Sequence, residues 1–147
     1  MSNSGNIAIA EGLGATGTRL LAGTAAAGIA AGSAAVAYFD PSNKGFFPIC
    51  PLYKMTGLAC PGCGLTRGFH ALLHGDIAGA LDLNIMTPVW AVILGYILVS
   101  LVLTASRGKG LPMWPTNMRF IYGFAMVLFV FGVLRNLPFE PFTYLYP

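Results

Sequence analysis

All three cysteines of the chain, Cys50, Cys60 and Cys63, fall within a stretch of fourteen residues. Cys60 and Cys63 flank Pro61 and Gly62, and such a C-x-x-C turn presents two thiolates to one zinc ion in zinc knuckles. With Cys50 the chain supplies three thiol ligands, whereas a closed structural zinc site needs four. The cysteines are therefore candidates for a zinc site whose fourth ligand comes from a partner chain.

The same cysteines fit two other kinds of chemistry. On the oxidising side of a membrane two of them are expected to pair, and Cys50 bonded to Cys60 or Cys63 is favoured over a bond within the C-x-x-C pair. A C-x-x-C pair at a helix N-terminus is alternatively a redox site, because the helix dipole and Arg67 one turn later would lower a thiolate pKa. No thioredoxin-like βαβ pattern surrounds the motif. Metal binding, a disulfide, redox catalysis and inert turn cysteines all stay open as alternatives.

An amphipathic helix is predicted directly after Cys63. If it starts near Gly64, its polar face carries Arg67, His70 and His74, candidates for contact with water, a protein partner or a lipid headgroup. The two histidines would lie about 10 and 16 Å along the helix axis, too far to complete a zinc site with the cysteines. Their i, i+4 spacing also suits metal or haem ligation, but an ordinary solvated face is expected.

Turn-forming and capping residues divide this loop into short elements. Gly75 suits the left-handed position that ends a helix, and Asp76 can cap a second short helix that runs through Leu83. We therefore expect two short interfacial helices in the loop. Turn geometry also explains the residues between and after the cysteines, namely Pro61, Gly62 and Gly64.

Three apolar stretches are long enough to cross a bilayer core, which needs about 20 residues: 20–39, 88–105 and 119–137. Arg119 and Arg135 bracket the centre of the third stretch, and we expect both to snorkel to opposite membrane interfaces. The stretches leave a polar Gly/Ser-rich N-terminal tail (1–19), the cysteine loop (40–87), a connecting loop (106–118) and an aromatic C-terminal tail (138–147).

The first apolar stretch is unusually rich in small residues. Gly28 and Gly32 form a small-xxx-small pair, which lets two helix backbones approach closely in a membrane. The alternative is a weakly hydrophobic span in which glycine is merely tolerated. In either case we expect this helix to pack against protein rather than to face lipid.

The composition of the chain agrees with a membrane environment. Hydrophobic residues make up 56% of the 147 residues, charged residues make up 9%, and the mean hydropathy is +0.71. Soluble domains carry about 25% charged residues. The net charge of +3 comes from scattered residues without a basic cluster, so we expect no nucleic-acid partner.

The positions of the basic residues bear on the orientation of the chain in the membrane. Three spans place four basic residues on each side, but Arg19, Arg107, Lys109 and Arg119 lie close to span ends in short segments. The positive-inside rule then favours a cytoplasmic N-terminus and an external cysteine loop. We expect no cleavable signal peptide, because polar residues precede the first apolar stretch.

The cysteine loop also resembles a bacterial family of small membrane proteins that is known only as a domain of unknown function. The resemblance covers about the middle third of the chain, and it differs at Ile85, where the family has proline. It implies a multi-pass protein of the bacterial cytoplasmic membrane and supplies no reaction. The residues that carry it are Cys50-Pro51, Thr56-Gly57-Leu58, CPGCGLTR at 60–67, Gly75-Asp76 and Asn84.

Together these features predict an all-α integral membrane protein with three transmembrane helices and a cysteine-containing interfacial or re-entrant loop after the first. Acid–base, nucleophile and phosphate-loop motifs are absent from the sequence, which favours a non-catalytic role. The leading expectation is an accessory or assembly subunit whose partners are other integral membrane subunits and lipids. The alternatives are a thiol-redox or metal-handling protein that uses Cys60 and Cys63, or a small lipid- or ligand-binding protein. No cofactor is expected apart from zinc at the cysteine loop.

Overall fold

The computed structural model describes residues 4–42, 50–112 and 117–140, with side chains in the first helix described from Gly14 onward. The described residues form six α-helices and no β-strand, which confirms the predicted all-helical class. Parts of the predicted tails and loops, at 1–3, 43–49, 113–116 and 141–147, lie outside these ranges. The helices are α1 (Ser4–Tyr38), α2 (Pro51–Thr56), α3 (Leu65–Leu73), α4 (Ile77–Leu83), α5 (Thr87–Arg107) and α6 (Met118–Leu134).

Two helical segments are long and apolar enough to cross a membrane. They are Gly14–Tyr38 with 25 residues and Thr87–Arg107 with 21 residues, which agree with the first two predicted spans. Helix α6 is equally apolar in character but has 17 residues, so it is a shorter apolar helix at the position of the third predicted span. The cysteine loop lies between α1 and α5.

Helix α1 begins earlier than the sequence predicts. It starts at Ser4, inside the expected polar tail, and is interrupted at Gly14, which has φ 65° and ψ 163°. Glycine adopts such a positive φ without the steric cost of a Cβ atom, so the chain can kink there and resume its helix. The first predicted span therefore corresponds to the part of a longer kinked helix that follows Gly14.

The described residues fall into two compact units. The first joins α1 up to Ala34 with Val92–Pro112, and the second joins Ala35–Ala91 with α6 and the turn after it. Within the first unit, Arg19 donates hydrogen bonds to the carbonyls of Ala105, at 3.2 Å, and Ser106. These carbonyls belong to the last turn of α5, where helix carbonyls lack intrahelical partners, so Arg19 caps that end.

The short helices after the cysteines end where the sequence predicts. Gly75 has φ 82° after α3, and Asp76 Oδ1 accepts a hydrogen bond of 2.8 Å from Gly79 N at the start of α4. Both features are local, because a glycine and a capping carboxylate act within their own turn. Helix α2 is an additional short helix that the sequence analysis did not predict. The loop thus contains three short helices rather than two.

Helix α3 packs closely against the beginning of α5 and against α4. A Cβ atom placed on Gly68 would overlap Thr87 Oγ1 and would lie 3.3 Å from Ala80 O. Gly68, Ala80 and Thr87 are all buried. Gly68 is therefore required for the close approach of these helices, and the start of α5 is held directly beside the cysteine loop.

Candidate functional site

The three cysteine sulfurs converge at one point of the second unit. Cys60 Sγ lies 3.4 Å from Cys50 Sγ and 3.3 Å from Cys63 Sγ, and all three sulfurs lie within 4.8 Å of one another. Each cysteine is half-buried. Residues separated by up to thirteen positions in the sequence are therefore brought together as three neighbouring thiols, which could bind a metal ion.

Cys50 is placed by the start of α2. It is the N-cap residue of that helix, and Pro51 occupies the first helical position, where its missing N–H is not needed. Gly57, with φ 72°, ends α2 in a left-handed conformation. The chain then leads through Ala59, which is 1% exposed, to the second cysteine. This short helix with its glycine stop brings Cys50 back beside the C-x-x-C turn.

The C-x-x-C turn is closed by its own backbone. Cys63 N donates to Cys60 O at 3.0 Å, and Leu65 N donates to Gly62 O at 3.1 Å. Cys60 N also donates to Cys63 Sγ at 3.2 Å. Gly64 then adopts φ 82° as the N-cap of α3, which requires glycine. The predicted roles of Gly64 and the turn agree with this geometry.

No disulfide is formed. All three cysteines are free thiols, and the two shortest sulfur–sulfur distances, 3.3 and 3.4 Å, exceed the bond length of about 2.0 Å. Cys60 contacts both other sulfurs, so the cluster is a triangle of thiols rather than one bonded pair with a distant third cysteine. The expected pairing of Cys50 with another cysteine is absent from this structure.

Arg135, at the end of α6, reaches into the C-x-x-C turn. Its Nη1 donates to Cys60 O at 3.0 Å and to Cys63 O at 3.1 Å, and its guanidinium lies 5.1 Å from the ring centroid of Phe131. Arg135 is 0% exposed. The expectation that it snorkels to a membrane interface is therefore wrong, because the turn carbonyls offer this guanidinium acceptors within the protein. Arg119, at the other end of α6, is exposed.

Asn136, the residue after Arg135, binds the backbone just before the C-x-x-C turn. Its Oδ1 accepts from Ala59 N at 2.8 Å, while its Nδ2 donates to Ala59 O at 2.8 Å and to Gly132 O at 2.7 Å. Gly132 allows this approach, since a Cβ atom there would lie 3.3 Å from the Pro61 ring. The end of α6 therefore binds the backbone on both sides of Cys60.

Asn84 holds the turn from the opposite end of the loop. Its Nδ2 donates to Pro61 O at 3.0 Å and to Cys63 O at 3.1 Å, and its Oδ1 accepts from Met86 N at 2.9 Å. It is 2% exposed. Buried carbonyls without donors destabilise a fold, and here three side chains supply those donors. We call Asn84, Arg135 and Asn136 the clamp of the turn.

The role of the clamp residues was not predicted from the sequence. Asn84 belongs to the motif that resembles a known family, but no role followed from it. Arg135 and Asn136 contact residues more than 70 positions earlier, and a local sequence pattern does not predict such a contact. In the sequence, Arg135 and Asn136 directly follow an apolar stretch. This position is as compatible with burial inside the protein as with exposure at a membrane interface.

Cys50 and Cys63 differ in acidity. The pKa of Cys50 is lowered to about 7, chiefly because the backbone N–H of Tyr53 in the first turn of α2 interacts with its sulfur, with a contribution from the Cys60 thiol. Burial, together with the neighbouring thiols of Cys60 and Cys50, raises the pKa of Cys63 to about 12. Cys50 therefore ionises before Cys63.

The three predicted polar-face residues lie outside the cluster. His70 Nδ1 lies 2.7 Å from Val36 O, and His74 Nδ1 lies 2.8 Å from His70 O. The centroids of their rings lie 4.4 Å apart, with the ring planes tilted by 39°. Arg67 is half-buried in α3. Among the described residues, the only group of three or more metal-ligating side chains is the three cysteines, so neither histidine joins them.

The arrangement can hold a thiophilic ion with little movement. Three sulfurs bound to one ion at about 2.3 Å in tetrahedral directions are about 3.8 Å apart. The observed distances of 3.3 and 3.4 Å differ from that spacing by a few tenths of an ångström. Thiolates favour ions such as Zn²⁺ and Cu⁺ over hard ions such as Mg²⁺. The same proximity would let two of the thiols form a disulfide after oxidation.

Comparison with known proteins relates this loop to a protein family. No curated protein and no solved structure matches the chain. The matching family model spans the cysteine cluster, α3, α4 and the first half of α5, which is about a third of the chain. In agreement with the resemblance seen in the sequence, residues 50–98 are similar to the family described as "Protein of unknown function (DUF2752)".

Proposed function

We propose that this protein is a multi-pass protein of the bacterial cytoplasmic membrane that binds one thiophilic metal ion through Cys50, Cys60 and Cys63. The single observation that carries the proposal is the convergence of the three sulfurs within 4.8 Å. Two helices of spanning length and a shorter apolar helix support the membrane environment, with α6 as the third span. In this proposal the three thiols bind a metal ion and do not form a structural disulfide.

The clamp supports a binding site over an inert turn. Asn84, Arg135 and Asn136 use their side-chain donors on the backbone of residues 59–63 and not on the cysteine sulfurs. A turn fixed on its backbone side keeps its thiols in one arrangement before the ion arrives. Such preorganisation lowers the conformational cost of binding.

Metal titration of the full chain in detergent tests this proposal. The reduced protein should bind one Zn²⁺ or Co²⁺ per chain in competition with a chromophoric chelator. Cys60→Ser should weaken binding most, because Cys60 contacts both other sulfurs. The matched control is the double variant His70→Ala/His74→Ala, which should bind as the native chain does. Native-strength binding by Cys60→Ser, or weakened binding by the control, would contradict the assignment.

A second candidate function is an accessory or assembly subunit of a larger membrane complex. The observation that favours it is the open surface of α1 at Gly28 and Gly32, where an added Cβ atom would meet nothing within 4 Å. Both glycines are exposed in the single chain. Small-residue faces of this kind pack against other transmembrane helices, including those of partner subunits.

Association in mild detergent tests the subunit role. The chain should co-purify with a larger membrane partner in fixed stoichiometry, and Gly28→Leu or Gly32→Leu should release it. Gly95→Leu in α5 is the matched control, since Gly95 also faces open space. A native chain that purifies alone and as a monomer rules out this second role and leaves the metal site untouched.

A further inference from the structure

The cysteine cluster offers three ligands to an ion that binds four. Cys50, Cys60 and Cys63 are the only cysteines in the chain, and its only histidines are His70 and His74. The described residues place no other Cys, His, Asp or Glu side chain with the three sulfurs. Outside the residues whose side chains are described, the chain contains one residue of these four types, Glu11 in the N-terminal segment. The described side chains therefore provide three thiolates to the ion and no fourth ligand of the usual kind.

The histidines are committed to backbone contacts elsewhere. His70 Nδ1 bonds to Val36 O and His74 Nδ1 bonds to His70 O, at 2.7 and 2.8 Å. Carbonyl oxygens only accept hydrogen bonds, so each Nδ1 carries a proton and cannot bind metal there. These bonds hold both rings on α3, so neither side chain can turn to the cluster without losing its contact.

The cluster is also reachable from outside the protein. All three cysteines are half-buried rather than enclosed. The clamp residues bind the backbone of the turn and its neighbour Ala59 rather than the sulfurs. In zinc proteins, three protein ligands with an accessible fourth position mark sites that accept an external ligand, whereas structural sites are closed by four protein ligands.

We propose that an ion bound by Cys50, Cys60 and Cys63 keeps one coordination position open for a thiolate from outside this chain, so that the site exchanges its ion with an external thiol ligand. This inference rests on the proposed metal binding. The external thiol loses its proton to solvent as its sulfur binds the ion, and no electron is transferred. A thiolate fits the position because ions held by three sulfurs favour a further soft ligand.

Cobalt spectroscopy on the full chain in detergent tests this inference. Co²⁺ reports its ligands through ligand-field and sulfur-to-cobalt charge-transfer absorption. Addition of 2-mercaptoethanol should raise the charge-transfer absorption and saturate at one thiol per cobalt. A cysteine-containing peptide forms the second arm: a response to both thiols assigns a protein thiol as a suitable source, and a response to 2-mercaptoethanol alone assigns a small-molecule thiol.

Two variants of one turn residue sharpen the test. A Cβ atom on Gly62 would lie 3.8 Å from Cys60 Sγ, so Gly62→Cys supplies a fourth thiol and should abolish the response to added thiol. Gly62→Ala is the matched control and should respond as the native chain does.

The outcomes separate this inference from the proposal beneath it. Cobalt binding with a spectrum that added thiol does not change would overturn the open position and leave metal binding intact. A response retained by Gly62→Cys would place the thiol elsewhere and also overturn it. Failure to bind cobalt at all would overturn both.

Discussion

At the scale of single residues, Cys50 and Cys63 are chemically unequal although both contact Cys60. The backbone N–H of Tyr53 lowers the pKa of Cys50 to about 7, whereas burial raises the pKa of Cys63 to about 12. Thiolates, not thiols, react with alkylating agents and bind metal ions. The order of ionisation should therefore be visible in the metal-free protein.

Alkylation of the metal-free, reduced chain should modify Cys50 before Cys63. The rate at Cys50 should rise with pH through a midpoint near 7, since its pKa is lowered and the thiolate accumulates above it. Cys63 should react more slowly than Cys50 at neutral pH, because its raised pKa leaves little thiolate. Peptide mass spectrometry after brief iodoacetamide treatment measures each rate. Faster modification of Cys63 than of Cys50 at neutral pH would show that the acidities are wrongly assigned.

The clamp predicts a second effect at single residues. Arg135→Gln removes the guanidinium that donates to Cys60 O and Cys63 O. Cys63 N and Asn84 Nδ2 still donate to these carbonyls, so the cost is the loss of two hydrogen bonds from a charged group, about 1.5–3 kcal/mol each. Both the free energy of unfolding and the metal affinity should fall. Arg119→Gln, at the exposed end of the same helix, should change neither. Unfolding in detergent and a chelator competition measure the two quantities, and equal effects of both variants would refute the clamp.

At the scale of helices, local signals predicted some elements and distant contacts determined others. The ends of α3 and α4 follow from Gly64, Gly75 and Asp76, each of which acts within its own turn. The kink at Gly14 was not predictable, because glycine permits a positive φ without requiring it. The three cysteines were predicted as candidate metal ligands. The hydrogen bond from Ala59 to Asn136, which helps to hold the turn, was not predictable because it joins residues 77 positions apart.

The contact of α3 with the start of α5 gives a prediction at this scale. Gly68→Ala should lower the free energy of unfolding by about 1–3 kcal/mol, because its Cβ atom would overlap Thr87 Oγ1. Adding Thr87→Ala should recover part of the loss, since it removes the overlapping atom. Gly95→Ala, where the Cβ atom meets nothing within 4 Å, is the control. A Gly68→Ala chain as stable as this control would contradict the close packing.

At the scale of the whole molecule, the two long apolar helices and the shorter α6 give an odd number of spans if all three cross the membrane. The termini should then lie on opposite sides, with the N-terminus in the cytoplasm and the cysteine loop outside. Reporter proteins fused to either end measure this directly. Reporters that respond from the same side would show that α6, with its 17 residues, does not cross.

The proposed metal site involves all three scales, because α2, α6 and the clamp hold together the three cysteines that would bind the ion. The most direct measurement is the count of reactive thiols in the full-length chain before and after zinc. The reduced, metal-free chain should show three reactive thiols, one equivalent of zinc should protect all three, and a chelator should expose them again. Three thiols that stay reactive with zinc present, or a single thiol before reduction and three after it, would contradict metal binding at Cys50, Cys60 and Cys63.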